Sequence, residues 1–543
     1  MKQDREGPNG LPHGWQLTTL EELVLSPKSD IVDGPFGSDL KATEYREEGV
    51  PIIRLQNIDR NRFVEKNIRF ISNEKAQKLQ RHEFVGGDIV VTKLGEPLGK
   101  ACVVPSNLKR GIIVADVVRI RIDERFVLKS YLVYAINSDA AIKQLEKMTK
   151  GTTRQRVNLG HIRQLRIPVA PLAQQHAVVS EIEKQFTRLD AAVAALKRIQ
   201  ANLRRYRTSV LKTAGEGHLV PTEAELARRE GRDYELADRL LTRILKDRRA
   251  KWEADQLARM KAAGRPPKDD KWGAKYEEPA APDTAPLPNL PNGWHWVTLS
   301  QLSWHAAYGS SEKCGRDFPG PPVLRIPNVE KGRVDLSDLK RAAYTTKLNP
   351  ADALSPGDFL VIRTNGSRDL IGRAALVRQE FDRQHFFASY LIRFRIVDVG
   401  SVAEWLNWLW DAPIMRESIE LLAATSAGQY NISLSTLNGI AIPLPPSAEQ
   451  RRIIAEIERR LSVIEELEGI VEANLKRAGR LSGAVLKRAF EGKLAPQDPN
   501  DEPARALLER IREERARLGV DRKIRKPSGR RRAQGAAVIG IPT

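Results

Sequence analysis

The stretch LRIPVAPLAQQHAVVSEIE at residues 165–183 returns as IAIPLPPSAEQRRIIAEIE at residues 440–458. Both copies run without a gap to matching ends, VLKTAGEGHLVP at 210–221 and VLKRAFEGKLAP at 485–496. The offset is 275 residues at both ends, since 440 − 165 = 275 and 485 − 210 = 275. Identical pairs include Pro168 with Pro443, Gln175 with Gln450 and Gly217 with Gly492. The chain is therefore an internal duplication.

The duplication continues at lower fidelity outside this segment. LPHGW at 11–15 matches LPNGW at 290–294, and LLTRILKDRRA from Leu240 resembles LLERIREERA from Leu507. Shorter matches pair Arg54 and Asn57 with Arg325 and Asn328, and Gly87-Asp88 with Gly357-Asp358. A duplicated enzyme would repeat its catalytic motifs best, whereas here the connecting segments repeat best. This ranking of repeat fidelity favours scaffold helices that hold two recognition domains whose sequences vary independently.

The repeated segments carry the heptad pattern of coiled-coil helices. Residues 172–212 contain neither Pro nor Gly, and apolar residues alternate three and four apart. The seam residues that we expect to pair are Ile182, Phe186, Leu189 and Leu196 in the first copy, and Ile457, Leu461, Ile464 and Val471 in the second. A helix of about 40 residues is roughly 60 Å long, which approaches two turns of B-DNA. Two such helices packed antiparallel would space two domains; a hairpin that dimerises the protein is the alternative.

Composition and charge restrict the class of protein. The 543 residues carry a net charge of +20, which is typical of nucleic-acid partners but also of merely basic proteins. No stretch approaches the roughly 18 apolar residues of a membrane span, and the start lacks an apolar signal core, so we expect a cytoplasmic protein with no membrane partner. Cys102 and Cys314 stand alone, which predicts neither a disulfide framework nor a zinc site.

The two variable regions, 10–165 and 289–440, show short strand-like runs and short helices at 130–146 and 402–422. Glycine-rich segments at 33–38 and 307–311 fit a ligand-approaching loop and an ordinary turn equally well. Arg, Lys, Asn and Gln have the donor geometry for guanine and adenine edges, and they gather at the strand ends and loops. The candidate DNA-binding residues are Lys93, Arg154, Arg156, Arg54, Arg363, Asn365, Arg325, Gln429 and Tyr430.

Catalytic motifs are missing from the sequence. GEPLGKA at 95–101 has three residues between its glycines, not four, and Ala101 stands where a phosphate loop needs Ser or Thr. The sequence has no Asn-Pro-Pro-aromatic or Asp-Pro-Pro-aromatic tetrapeptide and no metal-ligand cluster. We therefore expect no catalytic residue, metal or cofactor. A DNA methyltransferase or nuclease with an unrecognised active site is the alternative, and a coiled-coil adaptor without a DNA role is a third hypothesis.

A variable region, then IPxxPxxxQ leading into a long helix, then VLKxAxEGxLxP, all occurring twice, resembles the specificity-subunit family of type I restriction–modification systems. The resemblance covers almost the whole chain. It implies an α+β fold with a pseudo-two-fold internal repeat, in which two target recognition domains (mixed α/β) are joined by two long antiparallel coiled-coil helices. It also implies double-stranded DNA, two methyltransferase subunits and restriction subunits as partners, with S-adenosylmethionine, ATP and magnesium bound by those partners.

The predicted division of the chain has six parts. They are target recognition domain 1 (1–170), spacer helix 1 (171–221), a charged helical arm with a Pro/Ala linker (222–288), target recognition domain 2 (289–445), spacer helix 2 (446–496), and a charged helical extension with a basic tail (497–543). The arm and the tail depart from the family pattern, and an enlarged partner interface is one interpretation of the arm.

Overall fold

The computed structural model describes residues 10–519 except 150–154, 266, 268, 331, 344–347, 398–400 and 427. The chain divides into two compact units. The first unit is Met1–Leu196 with Ala473–Thr543, and the second unit is Lys197–Glu472. Each unit therefore contains one variable region together with parts of both repeated helices.

Fourteen α-helices lie in the described part of the chain, and two of them are much longer than the rest. They are α1 (Pro27–Asp30), α2 (Asn73–Lys78), α3 (Lys129–Ile136), α4 (Asp139–Met148), α5 (Leu159–Arg163), α6 (Leu172–Gly215), α7 (Glu223–Glu230), α8 (Ala237–Ala262), α9 (Leu299–Leu302), α10 (Val402–Trp410), α11 (Pro413–Leu422), α12 (Leu434–Asn438), α13 (Ser447–Phe490) and α14 (Ala504–Arg517). The two long helices, α6 and α13, have 44 residues each and coincide with the repeated segments.

The first variable region is built from short, mainly antiparallel strands. They are β1 (Gln16–Thr19), β2 (Ile31–Asp33), β3 (Val50–Ile53), β4 (Ile58–Asp59), β5 (Arg62–Phe63), β6 (Arg69–Ile71), β7 (Glu83–Val85), β8 (Ile89–Thr92), β9 (Ala101–Val103), β10 (Arg110–Ile113), β11 (Val117–Ile120) and β12 (Arg166–Val169). Two four-stranded sheets have the orders β6-β3-β10-β7 and β2-β11-β8-β9, while β1 pairs with β12. Strands β8 and β11 are buried along their whole length, so they form the centre of the second of these sheets.

The second variable region repeats this plan. Its strands are β13 (His295–Thr298), β14 (Ser303–Tyr308), β15 (Cys314–Gly315), β16 (Pro322–Leu324), β17 (Val329–Glu330), β18 (Arg333–Val334), β19 (Lys340–Ala342), β20 (Asp358–Ile362), β21 (Thr364–Asn365), β22 (Ala374–Leu376), β23 (Phe386–Phe387), β24 (Leu391–Ile396), β25 (Ala424–Ser426), β26 (Gln429–Asn431) and β27 (Ala441–Leu444). The sheet β14-β24-β20-β22 matches β2-β11-β8-β9, and β15-β19-β16-β23 is the second four-stranded sheet. Among the described residues, only the second variable region forms an additional three-stranded sheet, β21-β26-β25.

The long helices pack on each other within each unit, with the start of one beside the end of the other. In the first unit, Val178 and Ile182 of α6 share a buried cluster with Leu486 and Phe490 of α13. In the second unit, Arg207 of α6 lies 3.6 Å from Glu465 of α13. The predicted α+β fold with antiparallel paired helices is confirmed. The seam residues Ile182, Ile457, Leu461, Ile464 and Val471 are buried, whereas Phe186, Leu189 and Leu196 are half-buried.

A tryptophan and a helix side chain join each variable region to the start of its own long helix. The indole Nε1 of Trp15 donates to Gln174 Oε1 at 2.7 Å, and that of Trp294 donates to Glu449 Oε1 at 2.9 Å. Buried donors need such acceptors, because an unpaired one costs about 1–3 kcal/mol. The repeated Gly-Trp motif is therefore anchored at an equivalent helix position in both copies, although the acceptor there is Gln174 in one and Glu449 in the other.

Each variable region also receives the end of the long helix from the other copy. A Cβ at Gly492, after α13, would lie 2.1 Å from Cγ of Pro12, and one at Gly217, after α6, would lie 2.4 Å from Cγ of Pro291. The first residue of each following extension then donates its amide to a repeated glycine, as Ala504 to Gly14 at 2.8 Å and Ala237 to Gly293 at 2.9 Å. Copy two therefore completes the first unit, and copy one completes the second.

The predicted arm at 222–288 packs on its own unit. Arg248 Nε of α8 donates to the carbonyl oxygens of Ser300 (3.0 Å) and Ser303 (2.9 Å). Beyond it, Trp252 stacks on Trp272 with ring centroids 6.1 Å apart. The Pro/Ala linker is also attached, because Thr298 Oγ1 donates to the carbonyl of Ala280. The described part of the arm therefore supports the second variable region.

Candidate nucleic-acid interface

Three segments meet at one edge of the first variable region. The glycine-rich loop after β2 is held by the Gly34 amide, which donates to the Val117 carbonyl at 2.9 Å. The residue after β8, Lys93, donates its amide to Asp116 O at 2.8 Å and accepts from Val157 N at 3.0 Å. The predicted loop, strand end and pre-helix segment are therefore neighbours.

The side chains at this edge are charged and partly paired. Lys93 is buried, and its Nζ lies 3.3 Å from Asp33 Oδ2. Arg156 is 55% exposed on its side chain and lies 2.7 Å from Asp116 Oδ1. A surface pair of this kind is worth little, so Arg156 is able to exchange its partner for a DNA group. Arg154 lies outside the described residues.

The second variable region builds the same edge from the same backbone bonds. Gly309 N donates to Leu391 O at 3.2 Å, Arg363 N to Tyr390 O at 2.9 Å, and Ile432 N to Arg363 O at 2.9 Å. Strands β21 and β26 pair here, with Asn365 opposite Tyr430. The sequence candidates Arg363, Asn365, Gln429 and Tyr430 are thus brought together on one small sheet.

The side chains of this second edge are different in chemistry. The Arg363 guanidinium lies over the Tyr308 ring, 4.8 Å from its centroid, and donates to Ser389 O at 3.1 Å. Gln429 is exposed, while Asn365 and Tyr430 are half-buried. Asn365 Oδ1 accepts from Ser367 N at 2.7 Å, so the amide nitrogen is the donor that this side chain can offer to a ligand. One backbone frame therefore presents two unlike sets of polar groups.

Arg54 and Arg325 form a repeated turn. The amide of each arginine donates to the buried asparagine three residues later, Arg54 to Asn57 Oδ1 at 3.1 Å and Arg325 to Asn328 Oδ1 at 2.8 Å. The Arg325 guanidinium also donates to Asp338 O at 3.2 Å. Because these groups already have partners inside the domain, their geometry favours a structural role. The DNA contact predicted for them stays a prediction.

The repeated Gly-Asp motif also serves the fold. Asp88 accepts two bonds from the Arg121 guanidinium, at 2.9 and 2.8 Å, and one from Val85 N at 2.8 Å. Asp358 repeats this with Ser355 N at 2.9 Å and Arg395 at 3.5 Å. Burial raises the pKa of Asp358 to about 6, opposed by the nearby Arg393 and Arg395 charges. These carboxylates hold the turn before the central strand.

Exposed aromatic residues at the two edges were missed by sequence reasoning, which weighed only basic and amide residues and the Gln429-Tyr430 segment. Phe36 is 82% exposed in the first loop, and Tyr390 is 53% exposed beside Arg363. The base of this loop lies so close to the neighbouring backbone that only glycine fits, because a Cβ at Gly34 would lie 1.8 Å from the Val114 carbonyl oxygen. The sequence DGPFGS could have indicated this, because a Phe between Pro and Gly in a tight loop cannot pack into the core and is left exposed.

The segment 95–101, which superficially resembles a phosphate loop, makes its contacts inside the domain. The Ala101 amide donates to Asn137 Oδ1 at 3.0 Å, and Lys100 Nζ lies 3.8 Å from Asp59 Oδ1. Within the described ranges, no group of three or more His, Cys, Asp or Glu side chains is placed to hold a metal ion. None of the described helices combines the length and apolar character that a membrane crossing needs.

The architecture defines a class of protein: two variable domains joined by a pair of repeated antiparallel helices. No family model matches the chain. Curated relatives do match over most of its length, and they are type I restriction enzyme specificity subunits. The resemblance inferred from the doubled motif is thereby confirmed.

Two relatives and one solved structure illustrate the match. The chain is 22% identical over 535 residues to the EcoKI specificity subunit of Escherichia coli K12, covering 95% of this chain and 99% of that protein. Identity is also 22% over 535 residues to the StySPI specificity subunit of Salmonella potsdam, covering 95% and 98%. A chain from a structure on complex assembly and conformational transition of the type I R-M system has a TM-score of 0.60 at 18% identity, covering 89% of this chain and 99% of that one. This last likeness concerns the fold.

Proposed function

We propose that the chain is the DNA-reading subunit of a type I restriction–modification complex, binds a bipartite duplex site and catalyses no reaction itself. One observation carries the proposal: the two variable regions build equivalent edges from the same backbone hydrogen bonds but fill them with different side chains. Lys93 and Arg363 hold the same place, as do Asp33 and Tyr308, because their backbone partners correspond. Different groups in one frame are what two unlike half-sites require.

The paired helices are proposed to set the spacing between the half-sites. A 44-residue helix is about 66 Å long, close to two turns of B-DNA. Within the second unit, Arg207 of α6 pairs with Glu465 of α13, and Ile457 and Ile464 of α13 are buried. A packed pair of this kind is stiffer than a single helix. Stiffness is what a spacer needs if recognition is to depend on distance.

The same helices are proposed to dock two methyltransferase subunits and, through them, restriction subunits. Val463, Leu467 and Ile470 of α13 are 49%, 41% and 49% exposed and lie four and three residues apart on one face. An exposed apolar stripe beside a coiled-coil seam fits the apolar face of a further helix. S-adenosylmethionine, ATP and magnesium are proposed to be bound by those partners.

Domain exchange tests the proposal most directly. Methylation mapping in cells that carry the chain with its methyltransferase partner first gives the site. Replacing residues 10–165 by the corresponding region of another specificity subunit is expected to change one half-site and leave the other and the spacer unchanged. Inserting one heptad into both α6 and α13 is expected to change only the spacer.

Two results would contradict the proposal. A change in both half-sites after the domain exchange would show that the regions do not read DNA independently. Tight binding of S-adenosylmethionine by the isolated chain, measured by isothermal titration, would favour the alternative in which the chain is itself a methyltransferase.

A further inference from the structure

Positive charge is concentrated in the C-terminal half of each long helix. Lys197–Gly215 of α6 holds six basic residues and no acidic residue, whereas Leu172–Leu196 holds two basic and three acidic ones. In α13, Ala473–Phe490 holds five basic residues and no acidic one, whereas Ser447–Glu472 holds four basic and seven acidic. Both copies therefore have an acid-free basic half, although the first half of each helix is mixed.

The basic residues of α6 form a solvent-facing surface, which we call the basic face: Lys197, Arg198, Arg204, Arg205 and Lys212. All five are exposed. Residues seven apart return to one side of a helix, so Lys197 lies above Arg204 and Arg198 above Arg205, while the buried Leu203 and Val210 mark the opposite side. The basic face thus points away from the coiled-coil seam.

Most of this charge has no ion-pair partner among the residues that the structure describes. Lys197, Arg198 and Arg204 form no salt bridge with any residue that the structure describes. Arg207, in contrast, lies 3.6 Å from Glu465 at the helix pair and belongs to the seam. Holding several like charges on one helix face costs stability unless a partner neutralises them.

The chemistry of the partner follows from what the two copies share. Only Arg205 with Arg480 and Lys212 with Lys487 correspond at the 275-residue offset, yet both halves keep a large excess of basic residues. Charge is retained while individual positions are not. Phosphate backbones require charge without a fixed side-chain arrangement, whereas protein interfaces are depleted of Lys at their centre.

We infer that the basic face of α6, together with Arg477 and Arg480 in the basic half of α13, binds the phosphate backbone of the spacer DNA between the half-sites. From Lys197 to Lys212 the helix rises about 22 Å, or roughly two thirds of a turn of B-DNA. The contact contributes affinity that does not depend on base sequence. This inference rests on the proposed function, because the half-sites define where the spacer lies.

The test compares K197Q/R198Q/R204Q with a matched control, R228Q/R239Q/K246Q, in the full chain with its methyltransferase partner co-expressed. The control removes the same charge from exposed positions of α7 and α8 that form no salt bridge with a described residue. Glutamine keeps helix propensity close to that of Lys and Arg. Circular dichroism confirms that both variants fold.

Affinity is measured against salt concentration for a duplex with the cognate site and for an unrelated duplex. The plot of log K against log salt is expected to become shallower by about 2 to 3 for the basic-face variant, since each lost phosphate contact removes about 0.9. The loss should be equal for both duplexes, and the half-site preference should not change. On a duplex whose spacer phosphates are methylphosphonates, wild type should lose at least as much slope as the variant loses on the normal duplex. The variant should lose less than wild type there, because three of its phosphate-binding residues are already gone. R477Q/R480Q is expected to lower the slope by about 2.

Four outcomes overturn the inference: an equal loss in the control, an unchanged salt slope, a wild type that is insensitive to methylphosphonates in the spacer, or a loss confined to methyltransferase association. The last of these would make the basic face a protein-docking surface. Failure of the proposed function is distinguishable, because wild type would then show no preference for the cognate site and no spacer would exist to contact.

Discussion

Replacing Phe36 by alanine is expected to weaken recognition of one half-site while leaving the fold intact. Its side chain is 82% exposed, so its truncation should change the free energy of unfolding by no more than about 0.5 kcal/mol. The loop that presents the ring keeps its shape, since Gly34 is bonded to Val117 and the amide of Asp39 donates to Phe36 O at 2.8 Å. In a duplex, a ring held in this way can contact a thymine methyl group in the groove or insert as a wedge at a base step. Losing such a base contact is expected to cost about 1–3 kcal/mol, or about 5- to 150-fold in Kd.

The assay is competition binding with duplexes in which either the first or the second half-site is randomised. Phe36→Ala should reduce the preference for the half-site read by residues 10–165 and leave the other preference unchanged. Leu421→Ala is the matched control, because Leu421 is 84% exposed at the end of α11 and lies outside the edge formed by β21 and β26. Affinity within twofold of wild type on the cognate site, or an equal loss for both half-sites, would refute the reasoning.

Three further predictions concern the packing that supports the interface. Burial, with the charges of Arg393, Arg259 and Arg395, lowers the pKa of His305 from 6.5 to about 4. As pH falls from about 6.5 to 4, the unfolded chain therefore binds a proton before the folded chain does, and the folded state loses stability. In urea unfolding, His305→Gln should reduce this loss by about 1 kcal/mol between pH 7 and pH 5, and an unchanged pH dependence would contradict the prediction. Gly492→Ala should lower the free energy of unfolding by about 1–3 kcal/mol more than Gly231→Ala does. Both glycines have positive φ (+67° and +63°), but only a Cβ at Gly492 meets another group, Pro12. Equal losses in urea unfolding would show that this packing does not contribute to stability. Trp272→Ala should speed proteolysis of the end of α8 by removing the stack on Trp252. Unaltered cleavage would mean that this stack does not hold the end of α8.

The helices were predictable in kind but not in number. The sequence predicts single helices at 130–146 and 402–422, whereas each is two helices in the structure. Ser138 ends the first and begins the next by accepting from Ala141 N at 3.3 Å, and Pro413 begins α11 because it has no amide to donate. Both signals are local and readable. The long helices were predictable without such local signals, because a heptad pattern over some 40 residues indicates a helix and no other secondary structure.

The candidate interface was predictable only as a set of polar positions, because the sequence does not show which of those side chains already have partners inside the domain. Arg54 with Asn57 and Arg325 with Asn328 match because both copies need the same turn, and Asp88 and Asp358 match because both need the same buried acceptor. A position that reads bases must differ between two domains that recognise different half-sites. The differing pairs, Lys93 with Arg363 and Asp33 with Tyr308, lie where the backbones coincide. Identity at these corresponding positions therefore reflects a shared need of the fold, while the difference on a common backbone frame is the observation on which the proposal of two unlike half-sites rests.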